Sequence, residues 1–137
     1  MLLPEYRISE AEFHEARKIW LDEAKYGALS EDERHSVDVL MNAEDARERL
    51  HRWPVTVQEV YDHWKQEAEE RERKRIASWQ DEGRITEYDF SCYEEQLADG
   101  DTDGPFVSFM RVAADLKKSG RKNLTVGDVR AEMKKRR

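Results

Sequence analysis

The chain has 137 residues, enough for one hydrophobic core of ordinary size, so we expect a single domain over residues 1–137. Charged residues make up 40% of it and hydrophobic residues 38%, and 4 Trp, 5 Tyr and 4 Phe favour a folded chain over a disordered one. The formal net charge is −7, no apolar run approaches the length of a membrane-spanning helix, and the single cysteine, Cys92, excludes an internal disulfide. We therefore expect a cytoplasmic protein that has no membrane partner.

The charges are divided unevenly along the chain. Residues 1–110 hold 14 basic and 28 acidic side chains, whereas residues 111–137 hold 10 basic and 3 acidic ones. Such an asymmetry indicates an interaction surface. It is equally typical of a basic segment that folds back on an acidic body, and the apolar stripe in the basic segment favours that docking. Both interpretations stay open.

Five helix starts are marked by capping boxes, in which a Ser or Thr hydroxyl and a carboxylate three residues later satisfy free N–H groups of the first turn. Asp takes the place of Glu in the last two boxes. No segment alternates β-branched and polar residues as a strand would, so the sequence predicts an all-α fold, a compact bundle of five to six helices. The boxes are Ser9 with Glu12, Ser30 with Glu33, Thr56 with Glu59, Thr86 with Asp89 and Thr125 with Asp128.

The first two helices are predicted to form an antiparallel hairpin over residues 1–52. The first helix, over 9–26, carries an apolar stripe and ends before Gly27, and a short link leads into the second. Because Pro54 disfavours helical geometry in the residue before it, the second helix should end near Arg52. The stripe of the first helix consists of Phe13, Ala16, Trp20 and Ala24.

A long charged helix is predicted at the centre of the chain, over about 56–82, and a short helix after it completes the segment 55–98. From Lys65 to Arg75 only Ala68 is apolar, and acidic side chains precede basic ones by four residues, the order that stabilises an isolated helix. The helix can therefore cross this stretch without a core against it, between apolar patches at both ends. The ordered pairs are Glu67 with Arg71, Glu69 with Arg73 and Glu70 with Lys74.

Residues 105–137, after an acidic Asp-Gly loop at 99–104, are predicted to be a basic helical segment. Pro105 suits the first turn of a helix whose stripe begins at Phe106, and a basic C-terminal helix starts after Thr125. These cations could neutralise the phosphates of a nucleic acid, although the linking turn is longer than in a helix-turn-helix and the acidic body would repel a duplex. The candidate nucleic-acid-binding residues within 111–137 are Lys117, Lys118, Arg121, Lys122, Arg130, Lys134, Lys135, Arg136 and Arg137.

The Asp-Gly loop resembles the first half of an EF-hand calcium loop. Three aspartates stand at its first, third and fifth positions and Gly104 at its sixth. The resemblance covers residues 99–110 and implies a weak calcium-binding helix-loop-helix, since Met110 replaces the final bidentate Glu. An ordinary acidic turn explains the same residues. The candidate calcium ligands are Asp99, Asp101 and Asp103.

No catalytic motif stands out in the sequence. Three of the four histidines follow a Glu by four residues, which favours surface ion pairs on helices over a zinc site, and no HExxH is present. Cys92 lies between Phe90 and Tyr93 without a nearby histidine, so we expect a buried, inert thiol. We expect no enzymatic activity and no cofactor other than calcium. The Glu and His pairs are Glu10 with His14, Glu31 with His35 and Glu59 with His63.

These observations favour a binding module over an enzyme. We hypothesise a small acidic intracellular adaptor or inhibitor that docks on a basic, nucleic-acid-binding surface of a partner protein, in the manner of a DNA mimic. Aromatic residues are chosen as anchors because interface energy concentrates in Trp, Tyr and Arg. Self-association through the long helix is a further alternative. The candidate partner-binding residues are Trp64, Glu67, Glu70, Arg71, Arg75, Trp79, Asp99, Asp101 and Asp103.

Overall fold

A computed structural model describes residues 2–137 and confirms the all-α fold, since 68% of the chain is helical. Two strands of two residues each, β1 (Arg7–Ile8) and β2 (Val55–Thr56), pair antiparallel and are too short to leave an alternating sequence pattern. None of the helices in the described part of the chain is both long and apolar enough to cross a bilayer. The helices there are α1 (Glu10–Leu21), α2 (Glu23–Gly27), α3 (Glu31–Met41), α4 (Ala43–Leu50), α5 (Val57–Ala77), α6 (Glu87–Ala98), α7 (Pro105–Lys118) and α8 (Val126–Lys135).

All five predicted capping boxes are formed. In each, the N–H of the third helical residue donates to the cap hydroxyl at 3.1–3.2 Å, and the carboxylate of that residue accepts from the cap N–H. These bonds join groups only three residues apart, so they form wherever the local sequence supplies both partners. The five boxes start α1, α3, α5, α6 and α8.

Two of the predicted helices are each interrupted by one residue. The helix predicted over 9–26 breaks at Asp22, because the Asp22 side chain accepts a hydrogen bond from Lys25 N at 3.1 Å and thereby caps α2. The second predicted helix breaks at Asn42, whose side-chain amide donates to the Asp38 carbonyl at 2.7 Å. The chain therefore has more and shorter helices than the sequence predicts.

The contacts within the chain fall into two units, unit 1 (Met1–Glu67) and unit 2 (Ala68–Arg137). The boundary between them lies inside α5, so the beginning and the end of this helix belong to different units. No residue of α5 from Lys65 to Arg75 is buried, as the charge pattern predicts. The single domain predicted over residues 1–137 stays a prediction.

Unit 1 has a core of small and β-branched side chains that come from five different elements. The pairing of β1 with β2 extends into α5, because the Val57 N–H donates to the Tyr6 carbonyl at 3.0 Å. This ladder holds the beginning of the chain against the start of the long helix. The buried cluster consists of Ile8, Val39, Ala43, Ala46, Val55, Val57 and Val60.

Unit 2 has a core built mainly on one helix, α7. Seven of the 14 residues of α7 are buried, and three of them are Phe109, Phe106 and Met110. The ring of Trp79 packs edge-on against Phe109, with 5.4 Å between the ring centroids. Leu124, Val126 and Val129 close the cluster from the side of α8.

Candidate functional site

An apolar groove lies between α1 and α3 in unit 1 and encloses about 280 Å³. Its lining is almost wholly apolar, because Glu12 and Glu15 contribute their carbon chains to it and keep their carboxylates at its edge. Small side chains on α1 keep the groove open, and larger ones from both helices form its walls. The apolar lining of this α1–α3 groove consists of Ala11, Ala16, Ile19, Val37 and Leu40.

The two carboxylates at the groove differ in how firmly they are held. Glu12 completes the capping box with Ser9 and also accepts a hydrogen bond from the Tyr6 hydroxyl. That hydrogen bond raises the pKa of Tyr6, because it stabilises the protonated phenol. Glu15 pairs only with Lys18, at 3.2 Å, and both side chains are more than 70% exposed, so its charge stays available to a ligand.

Exposed apolar side chains follow the groove at the end of α1. Trp20 is 44% exposed and Leu21 is 63% exposed. The spacing of the sequence predicts Trp20 on one apolar stripe with Phe13 and Ala16, but α1 ends one residue beyond it at Leu21. Trp20 therefore lies one helical turn past Ala16, where the packing against α3 no longer covers it.

The net charge of the protein lies entirely in the unit that carries the apolar groove. Residues 1–67 hold 16 acidic and 9 basic side chains, and residues 68–137 hold 15 of each. Unit 1 therefore has the whole formal charge of −7, whereas unit 2 is neutral. The charge asymmetry about residue 110 is visible in the sequence, whereas the boundary between the units follows from tertiary contacts that the sequence does not show.

The predicted aromatic anchors pack against the cores. Trp64 is half-buried against the core of unit 1, and its ring centroid lies 5.6 Å from that of Tyr61. Trp79 is half-buried in unit 2, where the Arg75 guanidinium lies 5.7 Å from its ring centroid and 5.7 Å from that of Phe106. These side chains have structural contacts of their own, and their role in partner binding stays a prediction.

The charged residues predicted at the centre of α5 are mostly on the surface. Glu70 and Arg71 are exposed, and Glu67 is half-buried. Glu67 approaches His63 at 3.1 Å instead of the predicted Arg71. One predicted pair, Glu69 with Arg73, is present at 3.6 Å.

The Asp-Gly loop is organised by hydrogen bonds to its own backbone. Asp101 Oδ1 accepts from the Gly104 N–H at 2.9 Å, and the Asp99 N–H donates to the Glu95 carbonyl at the end of α6. Met110, at the last EF-hand position, is buried in the core. Within residues 2–137 no group of three or more His, Cys, Asp or Glu side chains is arranged to hold a metal ion. Calcium binding stays a prediction without geometric support.

The histidines also differ from the predicted pairing. His14 lies 3.7 Å from Glu10 as predicted, but His35 bonds the Tyr61 hydroxyl at 2.9 Å. Glu59, the predicted partner of His63, is bound instead by Arg52 at 2.5 Å. The ring of His63 is 7% exposed in the interior of unit 1.

Four of the nine predicted nucleic-acid-binding residues are held in ion pairs within unit 2. Two of these pairs, with Glu87 and with Asp81, join the basic segment 111–137 to acidic residues before it and support the interpretation that this segment folds back. The other two pairs join residues within the segment. Within the described residues the other five, Lys118, Lys122, Lys134, Lys135 and Arg137, have no ion-pair partner. The pairs are Lys117 with Glu87 at 3.2 Å, Arg121 with Asp128 at 3.0 Å, Arg130 with Asp81 at 2.6 Å and Arg136 with Asp115 at 3.0 Å.

A second groove, the basic groove, lies in unit 2 between the start of α6 and the turn after α7. It encloses about 560 Å³ and has one carboxylate in its lining, Glu87. Three of its four cations are among the residues that the sequence predicts for nucleic-acid binding. Arg84 is not among them, because a single arginine in a loop leaves no pattern. The four cations are Arg84, Lys117, Arg121 and Lys122.

No protein-family model matches the chain, and no curated protein or solved structure matches it either. The function is therefore inferred from the chemistry of the two grooves. The α1–α3 groove is apolar with an acidic edge, whereas the basic groove is polar and cationic.

Proposed function

We propose that this chain is a protein-binding module, an adaptor or inhibitor, that receives a basic amphipathic helix of a partner protein in the α1–α3 groove. The observation that carries the proposal is the combination of an apolar groove, the exposed carboxylate of Glu15 and the exposed Trp20 in the unit with the whole net charge. Each of these features suits a different part of such a helix.

The apolar part of the partner helix would occupy the groove. Binding pockets for small molecules usually enclose about 300–1,000 Å³, so a groove of about 280 Å³ suits a few side chains better than a whole ligand. The side chains on one face of an amphipathic helix reach such a groove at helical spacing. Trp20 and Leu21 extend the apolar contact at one end, and Trp is the residue type most enriched among binding hot spots.

The charged part of the partner helix would face the acidic surface of unit 1. With 16 acidic against 9 basic side chains, unit 1 attracts cations over long range and repels acidic proteins. A surface that ordinarily binds nucleic acid has the required positive charge. Competition with nucleic acid for that surface is therefore the inhibitory form of the proposal.

The test is affinity capture from nuclease-treated host lysate with the wild-type chain and three variants. Glu15→Lys reverses the charge of the exposed carboxylate at the edge of the groove, and Trp20→Ala removes the exposed ring. Glu70→Lys makes the same charge change at an exposed residue of α5 that the sequence predicts for partner binding, so it discriminates the surface of α5 from the α1–α3 groove. We expect one stoichiometric protein partner that the wild type and Glu70→Lys retain and the other two variants lose.

Two results would overturn the proposal. Loss of the partner with Glu70→Lys and its retention with Glu15→Lys would move the contact from the α1–α3 groove to the surface of α5. If proteins are captured from untreated lysate but not from nuclease-treated lysate, nucleic acid and not a protein helix bridges the chain to the captured proteins. A direct titration of the captured partner, followed by the fluorescence of the tryptophans, measures the dissociation constant of each variant.

A further inference from the structure

The walls of the basic groove are fixed by backbone hydrogen bonds. The Ile85 N–H donates to the Leu124 carbonyl at 2.9 Å, and the Val126 N–H donates to the Gly83 carbonyl at 2.8 Å. These bonds join the segment before α6 to the segment before α8. The groove therefore exists before any ligand binds, which reduces the entropic cost of binding.

Two of the four cations in the groove are free of ion pairs. Lys117 lies 3.2 Å from Glu87 and 4.5 Å from the ring centroid of Phe90, and Arg121 is bound to Asp128. Within the described residues Arg84 and Lys122 have no carboxylate partner, and both are exposed. The groove thus offers an arginine and a lysine whose charges the protein itself does not neutralise.

The helix dipoles do not set the sign of the electrostatic potential in this groove. α6 starts at its wall, after Thr86, and contributes a positive helix end. α7 ends at Lys118 nearby and contributes a negative one. Since the two ends oppose each other, the side-chain cations set the sign of the potential.

We propose that the basic groove binds the phosphate group of a nucleotide-sized ligand, with Arg84 and Lys122 as the phosphate-binding pair. A guanidinium and an ammonium are the side chains that bind phosphate most strongly. The volume of about 560 Å³ is in the range of ligand-binding pockets and exceeds what one phosphate fills. Ile85, Phe90 and Leu124 supply apolar lining for the remainder of the ligand. This binding concerns unit 2 and is independent of the docking proposed for unit 1.

The test is calorimetric titration of the full chain at low ionic strength with AMP, with adenosine and with inorganic phosphate. We expect AMP and phosphate to bind and adenosine, which lacks the phosphate, not to bind. The double substitution Arg84→Ala with Lys122→Ala should weaken AMP binding by about tenfold or more, since two charge-assisted hydrogen bonds are lost. Both side chains are exposed, so the melting temperature should stay unchanged and show that the variant is folded.

A matched control separates this site from general electrostatic attraction. Lys134→Ala with Lys135→Ala removes the same charge from exposed, unpaired positions of α8 that do not line the groove. We expect this variant to bind AMP within about twofold of the wild type. An equal loss of affinity in both double variants, or no binding of AMP at millimolar concentration, would overturn the proposal.

Two sources of the phosphate are distinguished by a further titration. The ligand in this titration is a short single-stranded oligonucleotide with a 5′-phosphate. If it binds more tightly than AMP and loses affinity in the Arg84 and Lys122 variant, the source is the end of a nucleic acid. Tighter binding of AMP identifies a free nucleotide. Amide chemical-shift changes confined to residues 84–87 and 117–124 would support either source, and changes elsewhere would contradict the site.

Discussion

Unit 1 and unit 2 are similar in length but use their charged residues in opposite ways. In unit 2 the ion pairs include Arg130 with Asp81, 49 residues apart, and Lys117 with Glu87, 30 residues apart. In unit 1 the widest separation is the seven residues between Arg52 and Glu59. Unit 2 therefore contains ion pairs that join distant parts of its chain, whereas unit 1 has only short-range pairs among its described residues and carries the whole formal charge of −7.

The cores of the two units differ as well. Unit 2 concentrates its buried apolar residues on α7, which carries two buried phenylalanines. The buried cluster in unit 1 consists of Ile, Val and Ala from five elements, with the half-buried Trp53, Tyr61 and Trp64 packed against it. A core that depends on a few large side chains loses more stability when one of them is removed. We therefore expect a graded series of losses in stability, which are largest for single core residues and smallest for surface carboxylates.

The largest loss of stability is expected for Phe109→Ala in unit 2. Phe109 is 2% exposed and contacts Trp79, so its removal leaves a cavity and should lower the free energy of unfolding by about 3–5 kcal/mol. Urea unfolding followed by circular dichroism measures this loss. Tyr88→Ala, at a position that is 76% exposed, is the aromatic control and should change stability by less than about 0.5 kcal/mol. A loss below about 1 kcal/mol for Phe109→Ala would contradict the dependence of unit 2 on α7.

A smaller loss is expected for Ile8→Ala in unit 1. Ile8 is fully buried in β1 and is smaller than Phe109, so its truncation removes fewer buried atoms and we expect a loss of about 2–4 kcal/mol in the same urea assay. Leu3→Ala, at a position that is 64% exposed, is the control. An effect of Ile8→Ala as large as that of Phe109→Ala would show that the core of unit 1 is not distributed.

The long-range ion pairs of unit 2 are tested by Arg130→Ala and Asp81→Asn. Arg130 binds Asp81 at 2.6 Å and also donates to the Ile76 carbonyl at 2.9 Å, so Arg130→Ala should cost about 1–2 kcal/mol. Asp81→Asn leaves the bond to Ile76 in place and should cost less than about 1 kcal/mol. The cost of Asp81→Asn should decrease further in 1 M salt, as measured by thermal melting, because salt screens the pair. Equal costs for the two variants would mean that the bond to Ile76 contributes nothing.

The smallest change in stability is expected from the carboxylates of the capping boxes in both units as the pH is lowered. The Thr125 N–H donates to Asp128 and lowers its pKa, and the Ser30 N–H lowers the pKa of Glu33 in the same way. A carboxyl group whose folded pKa is depressed stabilises the fold above its ordinary pKa of about 4, and this contribution is lost as the pH falls through the folded value. Melting temperatures measured from pH 7 down to pH 3 should therefore fall, and the fall should be shallower in Glu33→Gln. An unchanged slope in that variant would remove Glu33 from the acid response.

Three residues of the basic groove could be predicted from the sequence. Lys117, Arg121 and Lys122 were named as phosphate-binding candidates because they cluster in a basic segment, and all three line the basic groove. Arg84 was missed because it reaches the groove only through the pairing of its segment with residues 124–126. The sequence predicts Trp20 on an apolar stripe that continues to Ala24, whereas α1 itself ends at Leu21.

The sequence by itself determined the all-α fold and all five capped helix starts, because the groups that form a capping box lie only three residues apart. It also determined that the middle of α5 has no core against it, since its charges are ordered along the helix. Only the tertiary structure decided that the net charge belongs to unit 1 and that four cations meet in one groove of unit 2. These features join residues that are distant in the chain, and packing, not local spacing, selects which distant residues meet.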